Sequence, residues 1–317
     1  MVLIQVRIII VIRHRQRRRY SLHSQNHVDF QLFTEGVDHM SSRPQLSGVH
    51  MSAFGAAAMR ARHLIADGHP KIFNDHFAQK LLGMDTEEIV AITNDALIDP
   101  SLDSAWVLRS RFAEDRLEAA RTCGVHQYVI LGAGLDSYAL RNAESLDDLI
   151  VHEVDAPQLQ QWKRKRIEEL HFALPLNLRF VACDFETTSL IEALAKSKFD
   201  ASAPAVVSWL GVTQYLTHEA IFETLRWAAS LAAGSEIVLT YVVPGEIAEN
   251  LKNMFAARGT RFETFFDPNE ISTVLEQAGL VDIQQLTPVE AQKEYFEGRT
   301  DGLVAPEVER LIVGKSR

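Results

Sequence analysis

QYVILGAGLDS, residues 127–137, is where a strand signal meets a glycine turn. QYVIL (127–131) is a short run rich in β-branched, aromatic and aliphatic side chains, and it leads straight into Gly132-Ala133-Gly134. Glycines directly after a buried strand let the chain turn sharply and let a ligand approach without a Cβ in the way. In open α/β sheets, ligands sit outside the carboxyl ends of the strands, near the point where strand order reverses. Gly132, Ala133 and Gly134 are therefore candidate ligand contacts. The third glycine of a dinucleotide fingerprint is missing, because Ser137 occupies its place.

Downstream the same grammar repeats. DLIVHEV (148–154), LRFVAC (178–183), APAVVSWL (203–210) and SEIVLTYVV (235–243) read as strands, and VDIQQL (281–286) and ERLIVGK (309–315) as a late hairpin-like pair. Helical stretches such as PQLQQWKRKRIEELHFAL and HEAIFETLRWAASLAA lie between them. Strands alternating with helices imply βαβ units and a mostly parallel sheet. Near-continuous apolar strands fit a sheet covered on both faces. Upstream, residues 45–126 read as a helical cap. Met51–Ala66 has good helix composition, and Ala105–Cys123 is amphipathic and ends near Gly124.

Two further strand tips carry polar groups that suit a nucleoside. Asp155 follows the second strand and can accept from ribose hydroxyls. Glu153 is its competitor, because alternation sends both to one side of the strand. Asp184 and Phe185 follow the third strand, where an acid can accept from an adenine amino group while the ring stacks. Arg109, on the helix before the first strand, can clamp a carboxylate bidentately, and Arg111 is its rival. Tyr215 lies just past the fourth strand, where a substrate would approach. It is the candidate for orienting that substrate, with packing as the alternative reading.

Composition narrows the class. At 317 residues and 47% hydrophobic, the chain can build its core without disulfide or metal staples. Cys123 and Cys183 are far apart, no Cys/His cluster occurs, and both read as small core residues in a reducing, cytoplasmic setting; no metal is expected. The net charge of −10 argues against a nucleic-acid binder. The first twenty residues hold six arginines and no acid, leaving −16 for the remainder. Their apolar run is too short to span a bilayer, which takes about 20 residues. Residues 1–44 are expected to form a disordered leader ahead of the cap (45–126) and the catalytic domain (127–317). Loss of residues 1–39 is expected to leave folding and activity intact.

Taken together, ILGAGLDS, EVDAP (153–157), ACDF, SWLGVTQYLT, FFDPNEISTVLEQAGL and YFEGRTDGL resemble the leucine carboxyl methyltransferase family over about residues 45–315. The resemblance is to its bacterial branch of S-adenosylmethionine-dependent O-methyltransferases of polyketide type. It implies an α/β fold with a seven-stranded, mostly parallel, Rossmann-like methyltransferase sheet and an N-terminal helical cap. It implies S-adenosyl-L-methionine as cofactor. Gly132 and Gly134 would line its methionine portion, Asp155 its ribose, and Asp184 and Phe185 its adenine. Arg109 would meet its carboxylate, with Arg60 as a second cation from the cap. The expected partner is a small-molecule methyl acceptor, a carboxylate or a hydroxyl. One departure stands out: protein-methylating members carry a Glu at the fourth strand tip, where this chain has Leu210. The rival readings are a nicotinamide-dependent oxidoreductase and a non-catalytic nucleoside-binding member.

Overall fold

Seven strands form one sheet in the order β3-β2-β1-β4-β5-β7-β6. They are β1 Gln127–Leu131, β2 Ile150–Asp155, β3 Leu178–Ala182, β4 Val206–Trp209, β5 Glu236–Val242, β6 Val281–Leu286 and β7 Glu309–Lys315. The computed structural model describes residues 48–94, 100–185, 187–257 and 259–317. The expected leader and the effect of removing residues 1–39 lie outside them.

The first five strands pair in parallel, and β7 runs antiparallel to both β5 and β6. The late pair is antiparallel, as its sequence suggests, but it is not a simple hairpin. The chain between β6 and β7 carries a short helix, Pro288–Ala291, and β7 inserts between β5 and β6.

Burial follows position in the sheet. Every residue of β1, β4 and β5 is buried, whereas β6, at one edge, alternates between partly buried and exposed. Successive β1 side chains serve opposite cores. Val129 and Leu131 pack with Trp209, Leu225 and Ile237 on one face. Tyr128 and Ile130 pack with Leu117, Val151 and Val206 on the other. Each such fully buried aliphatic side chain contributes roughly 1.5–3 kcal/mol through lost water contact.

The segment before β1 supplies α1 Gly48–Ala66, α2 Ala78–Leu82, α3 Thr86–Asn94, α4 Pro100–Asp103 and α5 Ala105–Thr122. The small face of α1 (Ala57, Ala58, Ala61) lets it pack closely, and Phe54 meets Trp162 edge-on at 4.7 Å between ring centroids. Helix α5 lies against β4, β5 and β7, which carries Arg109 to the tip of β4. One expectation is corrected here. Cys183 is buried, but Cys123 is exposed, because it caps the solvent-facing end of α5 rather than entering the core.

Candidate functional site

The parallel register brings the chemistry to one edge. Leu131 lies beside Val154 on one side and Trp209 on the other, and Asp155 lies beside Ala182. The tips at 184–185, 155, 132–134 and 210–212 therefore stand in a row, with strand order reversing between β1 and β4. That is the switch point at which this class of sheet binds ligands.

Gly132 (φ 69°) and Gly134 (φ 50°) both adopt left-handed backbone. A Cβ at Gly132 would fall 2.4 Å from Val212 Cγ2, and one at Gly134 would fall 2.9 Å from Ala53 Cβ. Only glycine satisfies both the torsion and the space. Ala133, between them, is buried, and the amides of Gly132 and Ala133 donate to the Val154 carbonyl at 2.9 and 3.0 Å. The turn is thus stitched to β2.

Asp155 completes that stitching. Its Oδ2 accepts from the Gly134 amide at 2.5 Å and its Oδ1 from the Ala156 amide at 2.6 Å. These two amides fix the carboxylate at the tip of β2, in line with the glycine turn. Its competitor Glu153 is a core residue. It is 2% exposed, and Lys163 Nζ donates to its Oε2 at 2.5 Å. Burial pushes the Glu153 carboxyl up to about 7 despite the lysine. Alternation alone left the two acids equivalent. The helix Pro157–Glu169, which supplies Lys163, claims one of them.

Past β3, the Cys183 amide donates to the Asp155 carbonyl at 2.9 Å, and the Asp184 carbonyl accepts from the amides of Thr187 and Thr188. This fixes Asp184 next to Asp155, with Phe185 packed against the main core. Around β4, Arg109 lies against Gly211, where a Cβ would fall 2.4 Å from its Nη1. Arg109 Nη1 pairs with Glu309 Oε1 at 2.7 Å, and its side chain is 11% exposed. Arg111 is 47% exposed and pairs with Asp115, one helical turn onward and away from the tips. Leu210 packs with the cluster around Val107, Leu108 and Phe73, so no acid stands at its position.

Tyr215 sits in the single turn Thr213–Tyr215, packed edge-on against Phe262 at 5.3 Å. Its hydroxyl interacts with Ser52 and Gln214, and burial raises it above the ordinary phenol value. It is therefore protonated at neutral pH. Arg60 is 7% exposed; its Nε donates to Asp75 and its Nη2 to the Leu135 carbonyl, both at 2.8 Å. It touches the glycine loop from behind, while Arg109 approaches from the β4 side.

Sequence reasoning missed Asp75, Ser137 as a working residue, and Glu309. Asp75 had one legible signal, a lone acid in the run KIFNDHFA. The others depend on contacts made across the fold.

The sequence pattern defining the leucine carboxyl methyltransferase family matches residues 53–229. YktD of Bacillus subtilis strain 168, whose name describes an S-adenosyl-L-methionine-dependent methyltransferase, is 31% identical over 249 residues, covering 76% of this chain and 80% of YktD. A relative of the same description from Mycolicibacterium paratuberculosis is 33% identical, covering 60% of this chain and 67% of that protein. Among solved structures, a Thermobifida fusca protein described as a methyltransferase superposes with a TM-score of 0.54 at 20% identity, covering 75% of this chain and 92% of that one. That likeness supports the fold. The match over more than half its length, on the segment holding the four strand tips, makes the chain a member of the leucine carboxyl methyltransferase family.

Proposed function

We propose that the chain transfers the methyl group of S-adenosylmethionine to an oxygen of a small-molecule acceptor, a carboxylate or a hydroxyl. Dependence on that cofactor is what the named relatives have in common. The observation that carries the reading is the row of tips: two glycines bare of side chains, then Asp155, then Asp184 with Phe185, on adjacent parallel strands. That donor and acceptor set fits an adenosine-bearing ligand.

Each residue has a definite task. The Gly132–Gly134 backbone admits the methionine portion. The Asp155 carboxylate, held at the β2 tip, accepts from the ribose hydroxyls. Asp184 takes the adenine amino group, and Phe185 supplies an apolar wall. Arg109, oriented by Glu309, meets the carboxylate with the donors the pair leaves over. The cofactor supplies an activated methyl group on a sulfonium. The protein contributes alignment and a dry cleft. Tyr215 donates a hydrogen bond that orients the acceptor oxygen and does not take its proton. This favours acceptors that are ionised without help, and a carboxylate is so at neutral pH. Phe255, Phe262, Phe265 and Trp106 cluster around Tyr215 and present an apolar, aromatic flank to the acceptor.

The first test is titration with S-adenosylhomocysteine by calorimetry. Asp155→Ala should weaken binding by at least about tenfold, since it removes two hydroxyl contacts and the brace on Gly134. Unchanged affinity would sink the assignment of Asp155. The second is release of S-adenosylhomocysteine in the presence of a panel of carboxylic acids and phenols. Turnover with amines alone would overturn the oxygen acceptor.

A further inference from the structure

Residues 67–77 have no regular secondary structure apart from turns, yet they are held at many points. His63 is 1% exposed; its Nδ1 meets Asp67 at 2.6 Å, and its Nε2 accepts from the Ile72 amide at 3.0 Å. Lys71 Nζ donates to the His63 carbonyl at 2.8 Å, and Arg299 Nη1 to the Pro70 carbonyl at 2.6 Å. At the end of this braced segment stands Asp75, its side chain wholly buried.

Asp75 is a hub. Its Oδ2 accepts from Arg60 Nε at 2.8 Å. Its Oδ1 accepts from Ser137 Oγ at 2.6 Å and from the amides of Phe77 and Ala78 at 3.2 and 3.0 Å. Arg141 Nε donates to Ser137 Oγ at 2.9 Å, which directs the serine proton toward Asp75, and it lies 3.9 Å from Asp75 Oδ1. Arg141 pairs in turn with Glu114. Meanwhile Arg60 Nη2 holds the Leu135 carbonyl. The loop after the glycines is thereby fixed at consecutive points: 134 to Asp155, 135 to Arg60, and 137 to Asp75.

We infer that Asp75 is a positioning residue for cofactor binding, acting through Arg60 and Ser137 to fix the backbone of residues 134–137 against the cap. The inference rests on the S-adenosylmethionine reading above. A buried ion pair is a poor way to gain stability alone, because apolar residues of similar volume do as well or better. What it supplies is direction: a carboxylate with four donors admits one arrangement of the groups around it. This also gives Ser137 its task, since its hydroxyl hangs the loop directly from Asp75, which a glycine could not do. Arg60 then orients the turn instead of touching the ligand.

The test uses the full chain and S-adenosylhomocysteine as probe, with calorimetry, thermal melting and amide hydrogen exchange. Ser137→Ala removes one hydroxyl and leaves the Arg60–Asp75 pair intact. It should raise the Kd for S-adenosylhomocysteine about tenfold and speed exchange of the 134–137 amides, with little change in the melting temperature of the free protein. Asp75→Asn should raise the Kd further. The double variant Arg60→Met/Asp75→Leu removes both charges and should keep near-normal melting while still binding weakly. A merely structural role predicts the reverse pattern, with melting lowered and Kd within twofold of the parent, and that result overturns the proposal. Should Asp75→Asn fail to fold, Ser137→Ala alone decides. Absence of binding by the unaltered protein would instead remove the cofactor reading itself, and this inference with it.

Discussion

At His152, in the middle of β2, burial sets the charge state of a side chain. The ring is fully buried; Nδ1 meets Ser197 Oγ at 2.9 Å, Nε2 has no partner among the described residues, and Phe199 packs edge-on. Burial first, and the nearby Arg179 charge second, push the imidazole down to about 4. A base with a depressed folded value stabilises the fold fully above its free value near 6.5, and loses that contribution as pH falls toward 4. The gap between 6.5 and about 4 is worth about 3 kcal/mol. His152→Asn should therefore be less stable than the parent at pH 7, and the difference should narrow by about that much at pH 4. Urea midpoints across this range measure it, and a constant difference would refute the assignment. Gly132 makes a second case. Gly132→Ala forces a left-handed residue to carry a methyl 2.4 Å from Val212 Cγ2, and should cost more than about 1 kcal/mol and weaken S-adenosylhomocysteine binding. Adding Val212→Ala removes the clash but not the torsional strain, so recovery should be partial. Full recovery would show that torsion is unimportant there. The glycine turn was legible because a left-handed torsion and a close approach are local to a strand tip. Glu153 versus Asp155, and Arg109 versus Arg111, were not, because the answer lies in which neighbour each meets: Lys163 claims Glu153, and Asp115 draws Arg111 to the surface.

Elements repeat this division. Each strand read from the sequence lies in the sheet within two or three residues of its expected ends, because buried strands carry dense apolar runs that few other structures tolerate. The insertion of β7 between β5 and β6 had no local signature; pairing partners are chosen by the whole sheet. The braced segment after α1 had no signature in the sequence, since long-range side-chain bonds leave no periodicity. Its remote clamp is Asp301, whose Oδ2 accepts from the Gly68 amide at 2.7 Å while its carboxyl pairs with Arg299. The Arg299 hydrogen bonds hold that carboxyl below the usual carboxylate range, so its contribution is present at neutral pH and lost in acid. Asp301→Ala should speed exchange of the Gly68 amide by about tenfold or more, the equivalent of about 1.4 kcal/mol of local protection, while β1 and β5 amides stay unchanged. Uniform acceleration across the sheet would mean that the clamp supports the whole fold and not this segment.

Over the whole molecule, the decisive question is which nucleoside ligand the switch point serves. A nicotinamide dinucleotide and S-adenosylmethionine share adenosine, so Asp155 by itself suits either. The difference lies beyond the adenosine. A dinucleotide fingerprint needs a third glycine so that the helix after the turn can pack closely on the strand. Here Ser137 is 1% exposed and committed to Asp75, and the four-residue helix Tyr138–Arg141 that follows is anchored through Arg141 to Glu114. The pyrophosphate of a dinucleotide would require the loop to give up those bonds. A single carboxylate, met by Arg109 across the β1–β4 gap, would not. Selective binding to the folded state raises stability by about 2.7 kcal/mol at a hundredfold excess over Kd. S-adenosylhomocysteine should therefore raise the melting temperature by several degrees, and NAD at the same concentration should leave it unmoved. Arg109→Met should lower the S-adenosylhomocysteine shift without creating one for NAD. An equal shift with NAD would mean that the site recognises adenosine alone, and methyl transfer would lose its structural support.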